Sequence, residues 1–189
     1  LEKLIIFSAP SGSGKTTVVH HLLKEMGNNL GFSVSATTRK KRPNETEGRD
    51  YYFLEEEDFR QKLAANEFLE SEEVYKGLLY GTLVSEVDRV WAEGKAIVFD
   101  VDVQGGLNIK KLYGDKALAV FLRPPSIDVL MDRLRKRDTE VEHHLQERID
   151  KATHELGFEK EFDKVIINDH LRTALDEAEK TVIEFLEKK

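Results

Sequence analysis

Hydrophobic residues fall along this chain in two kinds of run. Short unbroken stretches, Leu4-Ile5-Ile6-Phe7, Ala96-Ile97-Val98-Phe99-Asp100-Val101-Asp102, 117–122 and Val165-Ile166-Ile167, have the pattern of strands buried on both faces of a parallel sheet. Elsewhere the apolar positions recur at helical spacing. Val18, Val19, Leu22, Leu23 and Met26 predict a helix stopped by Gly27-Asn28-Asn29. Phe59, Leu63 and Ala64 predict another ending near Asn66, and Leu83, Val87, Val90 and Trp91 a third closed by Gly94. Ile127, Leu130, Met131 and Leu134 place an amphipathic helix over 126–137 with Ser126 as its N-cap. A charged helical stretch covers about 141–158. Leu171, Leu175, Ala178, Val182 and Leu186 give a closing helix capped near Asp169. Residues 32–38 and Tyr51-Tyr52-Phe53 read as two further strands. Strands alternating with helices imply an α/β protein with a parallel core and crossover connections. The less regular block 33–92 reads as a mixed α/β insertion placed after the first strand–helix unit.

Composition narrows the field. A chain of 189 residues is one domain with room for folded insertions and a substantial core. A net charge of −7 argues against bulk affinity for nucleic acid or membranes, so any anion site must be a local basic patch. With no cysteine, disulfides, thiolate catalysis and cysteine-based zinc sites are excluded. No apolar run reaches membrane-spanning length and no signal-peptide pattern is present, which makes the cytoplasm the expected compartment. A monomer or small homo-oligomer is expected. The six histidines, His20-His21, His143-His144, His154 and His170, show no metal-ligand spacing, because adjacent residues do not share a helix face.

The chemistry begins at Ser8-Ala9-Pro10-Ser11-Gly12-Ser13-Gly14-Lys15-Thr16-Thr17, directly after the first apolar run. A strand, a glycine-rich turn and a Lys-Thr pair opening a helix form a phosphate cradle, because several main-chain N–H groups converge on one anion. Gly12 and Gly14 permit the required dihedrals, and the helix N-terminus adds unsatisfied donors and partial positive charge. Lys15 would reach the terminal phosphates and the Thr16 hydroxyl would sit on Mg²⁺. The usual pattern opens with Gly, and here that position is Ala9.

Such a loop alone names only a nucleotide-binding class. Ser33-Val34-Ser35-Ala36-Thr37-Thr38-Arg39, then Arg42, Glu45, Gly48, Asp50-Tyr51 and Phe53, resembles the monophosphate-binding segment of guanylate kinases. So do Phe68-Leu69-Glu70, Tyr80-Gly81-Thr82, Asp100-Val101-Asp102-Val103-Gln104-Gly105, Pro124-Pro125-Ser126, Arg133-Leu134, Arg137, Arg148 and Asn168-Asp169. The resemblance is collinear over nearly the whole chain. It departs at Ala9, at Ser71 where Trp commonly follows Phe-Leu-Glu, and at one residue inserted between Glu70 and Tyr80. Leu79 stands where an aromatic is frequent and His170 where Asp often follows Asn-Asp.

The resemblance implies transfer of the γ-phosphoryl group of ATP to GMP, with dGMP as a further acceptor, in the presence of Mg²⁺. It implies a P-loop core over 1–32, 93–125 and 158–189, a GMP-binding subdomain over 33–92 and a helical lid over 126–157. ATP would be held by residues 9–17 with Arg133, Arg137, Asn168 and Asp169, the last two also being able to cap the final helix. Arg39, Arg42, Tyr51 and Tyr80 would clamp the GMP phosphate, with Glu45 and Gly81 in the same site. Glu70 would accept from the N1–H and N2–H₂ donors of guanine, with Ser35 and Thr82 supplying hydroxyls and Asp102 at the floor. Taken alone, Glu70 would be an exposed acid among Glu67, Glu72 and Glu73. Lys15, Arg39, Arg42, Arg137 and Arg148 are the catalytic set, since a guanidinium holds phosphate oxygens bidentately. Asp100 either holds Mg²⁺ through water or caps the following loop. A kinase for another monophosphate is opposed by Glu70, Ser35 and Thr82 as a set. A catalytically silent, guanylate-kinase-like binding module is opposed by the presence of Lys15, Thr16 and the lid arginines.

Overall fold

The computed structural model describes residues 2–75, 77–137 and 142–188, with the main chain alone for Tyr75, Arg137 and 142–145. The chain runs through β1 (Leu4–Ser8), α1 (Lys15–Met26), β2 (Leu30–Phe32), β3 (Ser35–Thr37), β4 (Tyr52–Phe53) and α2 (Glu56–Ala64). It continues through β5 (Phe68–Tyr75), β6 (Leu78–Leu83), α3 (Val84–Ala92), β7 (Ala96–Val101), α4 (Val103–Tyr113) and β8 (Ala117–Arg123). Helices α5 (Ile127–Arg137) and α6 (Glu142–Leu156), strand β9 (Lys164–Ile167) and helix α7 (Leu171–Glu187) complete it.

The unbroken apolar runs become a five-stranded parallel sheet in the order β2-β7-β1-β8-β9. Their lack of alternation has a direct cause, because both faces are covered. Ile5, Phe7, Val98, Val120 and Leu122 pack under Val18, Val19 and Leu22 of α1 and Ala174, Ala178 and Val182 of α7. On the other face Leu4, Ile6, Ile97 and Phe99 meet Val87 and Val90 of α3 and Ile109 of α4. Phe7, Phe99 and Phe121 are fully buried, and truncating any one to Ala would cost about 3–5 kcal/mol. Strand β1 lies between β7 and β8, so the strand order reverses beside it, and the crevice at the carboxyl ends of these strands is where ligands of such sheets bind.

A second, mixed sheet follows the order β4-β3-β6-β5, with β3 and β4 parallel and β3, β6 and β5 antiparallel. Phe59 of α2 stacks on Phe68 of β5 at 4.3 Å and closes its outer side. Residues 32–38, read from the sequence as one strand, are divided. Ser33 N–H still donates to Val98 O of the first sheet (2.9 Å), but Val34 N–H turns to the Glu86 carboxylate (2.8 Å) and Ser35 begins β3 of the second sheet. The closing helix has His170 as its N-cap residue, with no side-chain cap bond, in place of Asp169. Ser126 does cap α5, its Oγ accepting from Val129 N–H at 3.2 Å. Helices α5 and α6 share a small cluster of their own, Leu130, Leu134, Ile149 and Ala152. Among the described residues no helix is long and apolar enough to cross a membrane.

Candidate active site

At the end of β1 the chain turns through Gly12 and Gly14, both in the left-handed region (φ 88° and 91°), before α1 starts at Lys15. Gly14 has a second reason to lack a side chain, since a Cβ would stand 2.5 Å from the Asn168 amide nitrogen. That amide reaches under the loop from the end of β9 and donates to Ser13 O at 2.8 Å. Ala9 does not hold positive φ, and its methyl group is buried in the core cluster beside Phe7. A small side chain therefore satisfies that position, and glycine is not required. Lys15 Nζ lies 2.7 Å from Asp100 Oδ1 and donates to Val101 O at 2.7 Å. Thr16 Oγ1 donates to Asp100 Oδ2, also at 2.7 Å. Lysine, threonine and aspartate thus meet at the carboxyl ends of β1 and β7.

Across the cleft stands the second sheet. Positions 70, 72 and 74 of β5 share one face of the strand, and that face lines the cleft with Ser35, Tyr51, Tyr80 and Gly81. Gly81 is required by packing, since a Cβ would come within 2.8 Å of both Glu70 O and the Phe68 ring. Arg39 makes a bidentate pair with Glu45 (2.7 and 3.0 Å) and lies over the rings of Tyr51 and Phe53 at 5.3 and 5.7 Å. Glu45 also accepts from Arg42 N–H at 2.8 Å, which ties the basic loop to the arginine it presents.

The electrostatics of this wall are unusual. Burial pushes the Glu70 carboxyl up to about 7; the nearby Asp102 charge adds to the shift and Thr82 opposes it. Glu72 Oε2 and Asp102 Oδ2 are both buried, and the Glu72 carboxyl is pushed up to about 8. Burial raises Glu72, and its hydrogen bond to Asp102 raises it further. Burial works against the Asp102 charge too, yet the Glu72 proton, the Gly105 N–H and the Lys151 and Lys15 charges hold it below its ordinary value. Burial, aided by the Asp100 charge, pushes the Tyr51 phenol up to about 12, so it stays a proton donor. From α6, Lys151 Nζ approaches Asp102 at 3.6 Å, Glu155 at 3.7 Å and Val74 O at 3.5 Å.

The geometry has counterparts among known proteins. The family described as "Guanylate kinase" matches residues 1–189. A guanylate kinase of Porphyromonas gingivalis is 50% identical over 188 residues, spanning 100% of both chains. One of Bacteroides fragilis is 54% identical over 97% of this chain and 90% of its own. The crystal structure of guanylate kinase from Anaplasma phagocytophilum superposes with a TM-score of 0.77 at 25% identity, covering 99% of this chain and 87% of that one. The chain belongs to the guanylate kinase family.

Against that family's expected site, the structure gathers most residues and sets some apart. Ala9, Pro10, Ser11, Gly12, Ser13, Gly14, Lys15, Thr16, Thr17, Ser35, Tyr51, Glu70, Tyr80, Gly81, Asp100, Asp102 and Arg148 line one cleft. Thr82 is fully buried behind it, and Arg42 is exposed on the basic loop. Arg133 lies against the end of β9, its Nη2 donating to Asn168 O at 3.3 Å. Asn168 is 5% exposed and engaged with the P-loop, while Asp169 is exposed beside it. The side chains of Arg137, His143 and His144 lie outside what the structure describes. Sequence reading passed over Glu72, Lys151 and Glu155. Their signal was register: Glu72 is two positions from Glu70 on a strand, and 151, 152 and 155 share the helix face of Arg148. The β5–β6 hairpin itself was unread, because its inward positions are charged, and α4 was unread because Gly105-Gly106 opposes a helix. Both glycines are closely packed: at Gly106 a Cβ would meet Ser8 Oγ at 2.2 Å, and at Gly105 it would press on the Glu70 carboxylate at 2.8 Å and displace it.

Proposed function

We propose the following division of labour for an ATP:GMP phosphotransferase, the activity that membership of the guanylate kinase family brings to this chain. One observation supports the assignment most: a single cleft has the P-loop on one wall and Ser35, Tyr51, Glu70, Tyr80 and Gly81 on the other. Residues 9–17 cradle the ATP phosphates through main-chain N–H groups, and Lys15 places its charge at the transferring group. Glu70 accepts from N1–H and N2–H₂ of guanine, with Ser35, Thr82 and Asp102 around the base. Arg39, held in place by Glu45, works with Arg42, Tyr51 and Tyr80 on the GMP phosphate. Arg148 of α6, with Arg133 and Arg137 of α5, covers the ATP phosphates, and Asn168 and Asp169 border the adenine.

Magnesium fits the same place. Thr16 and Asp100 bring two hard oxygen donors together beside the cradle, and Mg²⁺ keeps water and phosphate oxygens as its other ligands. A cage of three or more acidic or histidine side chains is therefore unnecessary, and none occurs among the described residues. When bound, the ion neutralises charge on the β- and γ-phosphates. A phosphate oxygen of GMP attacks the γ-phosphorus as its bond to the bridging oxygen breaks, giving GDP and ADP. The attacking group is already anionic, so no general base is needed; positioning and charge neutralisation are the whole task.

Three parts carry these roles: the core (1–32, 93–125 and 158–189), the GMP-binding part (33–92) and the lid (126–157). The cytoplasm, where both nucleotides circulate, is the compartment this reading assigns. A coupled assay of ADP release with ATP and each of GMP, AMP, UMP and CMP tests it. Release that depends on GMP, with the other acceptors near background, is expected. Equal rates with AMP or UMP would overturn the assignment of Glu70, and no release with any acceptor would overturn the activity.

A further inference from the structure

The main chain crosses between the two sheets at two places. It leaves the first sheet at Ser33-Val34, between β2 and β3, and returns at Leu83-Val84, between β6 and α3. Glu86 stands in the first turn after the return crossing and is only 3% exposed. Its Oε2 accepts from Val34 N–H of the outward crossing at 2.8 Å, and its Oε1 accepts from the Tyr52 hydroxyl of β4 at 3.0 Å. Arg89 donates to both oxygens at 3.0 and 2.8 Å, and also to Phe32 O, the last residue of β2, at 2.8 Å. Burial by itself would raise this carboxyl, but the Arg89, Val34 and Tyr52 donors overcome it and hold it below the usual carboxylate range. Helix α3 is in turn anchored to the first sheet through Val87 and Val90, both fully packed in its core.

An ordinary reading of Glu86 and Arg89 is an i, i+3 helix pair, worth little where Arg89 is 43% exposed. That reading leaves unexplained why the carboxylate is buried and why its other two donors come from the outward crossing and from the second sheet. Hinge motions are absorbed by a few residues at the ends of elements, and a main-chain N–H committed to a fixed acceptor loses that freedom. We infer that Glu86 is a positioning residue that joins both crossings and sets the angle at which the second sheet presents Glu70 and Arg39 to the P-loop. Glu86 touches neither nucleotide. It acts through Val34 and Tyr52, so its removal should impair use of the acceptor and spare ATP binding.

This inference rests on the assignment of the second sheet to GMP. Tyr52→Phe removes one donor from Glu86 while keeping the ring, and Glu86→Gln removes its charge. In both, KM for GMP should rise and kcat should fall, by about tenfold together for Tyr52→Phe, the scale of one hydrogen bond to a charged group. KM for ATP should stay within about twofold, and in Tyr52→Phe amide exchange at 33–37 should accelerate by more than the accompanying loss of global stability accounts for. A lowered melting temperature with unaltered kinetic constants would mean a structural role only and would overturn the inference. An equal rise in both KM values would overturn it too. If Glu86→Gln does not fold, Tyr52→Phe decides. Failure of the underlying assignment looks different, because the unmodified protein would then release no ADP in response to GMP.

Discussion

On the donor wall, Gly12 and Gly14 turn main-chain N–H groups toward one point, and Asn168 fixes that turn from below. The opposite wall, which the proposed reading assigns to the acceptor, is lined mainly by side chains, and three carboxyls, Glu70, Glu72 and Asp102, crowd one face. The contrast follows from the ligands. A polyphosphate is a set of equivalent anionic oxygens that any converging N–H groups satisfy, so a loop shape is enough. A guanine edge has donors and acceptors in a fixed order, and only placed acceptors separate it from adenine. Main-chain recognition adds no titratable group, whereas side-chain recognition brings buried charges whose pKa values move.

The contrast can be broken or sharpened by experiment. Lys15→Ala removes the lysine charge from the loop's main-chain cradle, and turnover should fall by about 10³–10⁵, the scale of a transition-state arginine. Near-normal turnover would show that this wall does not face the transferring phosphate. Glu70→Gln replaces one acceptor by a donor facing a guanine donor. Loss of a charge-assisted bond and an unpaired group predicts a fall of about 10²–10⁴ in kcat/KM for GMP, with ATP affinity unchanged. A loss below tenfold would remove Glu70 from the guanine site.

Smaller effects separate the walls more finely. Burial pushes Glu70 up to about 7, and on the proposed reading it must be ionised to accept from guanine, so GMP binding at pH 6 should release a proton. Below pH 7 affinity should weaken by up to about tenfold per unit, and calorimetry in buffers of different ionisation enthalpy would measure the release. Glu70→Gln should reduce that release to the part that comes from the GMP phosphate itself, whose second pKa is about 6. The sign for stability is the reverse. A raised carboxyl pKa favours the folded state below about 4.5, and this contribution is lost as pH rises through about 7. The smallest effect is expected for Asn168→Ala, which removes the bond to Ser13 O and should weaken ATP binding by about 2–12-fold, read by titration with ATP. Weaker GMP binding in that variant would mean that the two walls are less separate than drawn here.

How much of this was legible follows the same division. The donor wall could be read from the order strand, glycines, Lys-Thr, because each residue acts through local main-chain geometry. The core strands were legible because burial on both faces removes polar positions. The acceptor wall was accessible only through family resemblance. In isolation Glu70-Ser71-Glu72-Glu73 has the composition of a solvated loop, and what buries two of those acids is a sheet partner and the α6 face carrying Lys151. The break between β2 and β3 was hidden for a related reason. Both halves extend alike, and the donor that parts them finds its acceptor in Glu86, which is 52 positions away. Asn168 was read toward the adenine, and its hold on Ser13 depends on how the last strand of the sheet meets the first loop.

That hold has a bearing on synthesis. Strand β1 and its loop are made early, yet β1 pairs only with β7 and β8, and the amide that fixes Ser13 O lies 155 positions downstream. At a ribosomal pace of about 5–20 residues per second, the loop waits roughly ten to thirty seconds for the residue that completes it. For the first part of that interval, until β7 is made, the largely apolar β1 has neither of its sheet partners and is open to wrong ones. A nascent or truncated chain ending before 168 would carry every residue of the phosphate loop and still lack its brace, so ATP affinity should arrive late in synthesis, after the last core strand has docked.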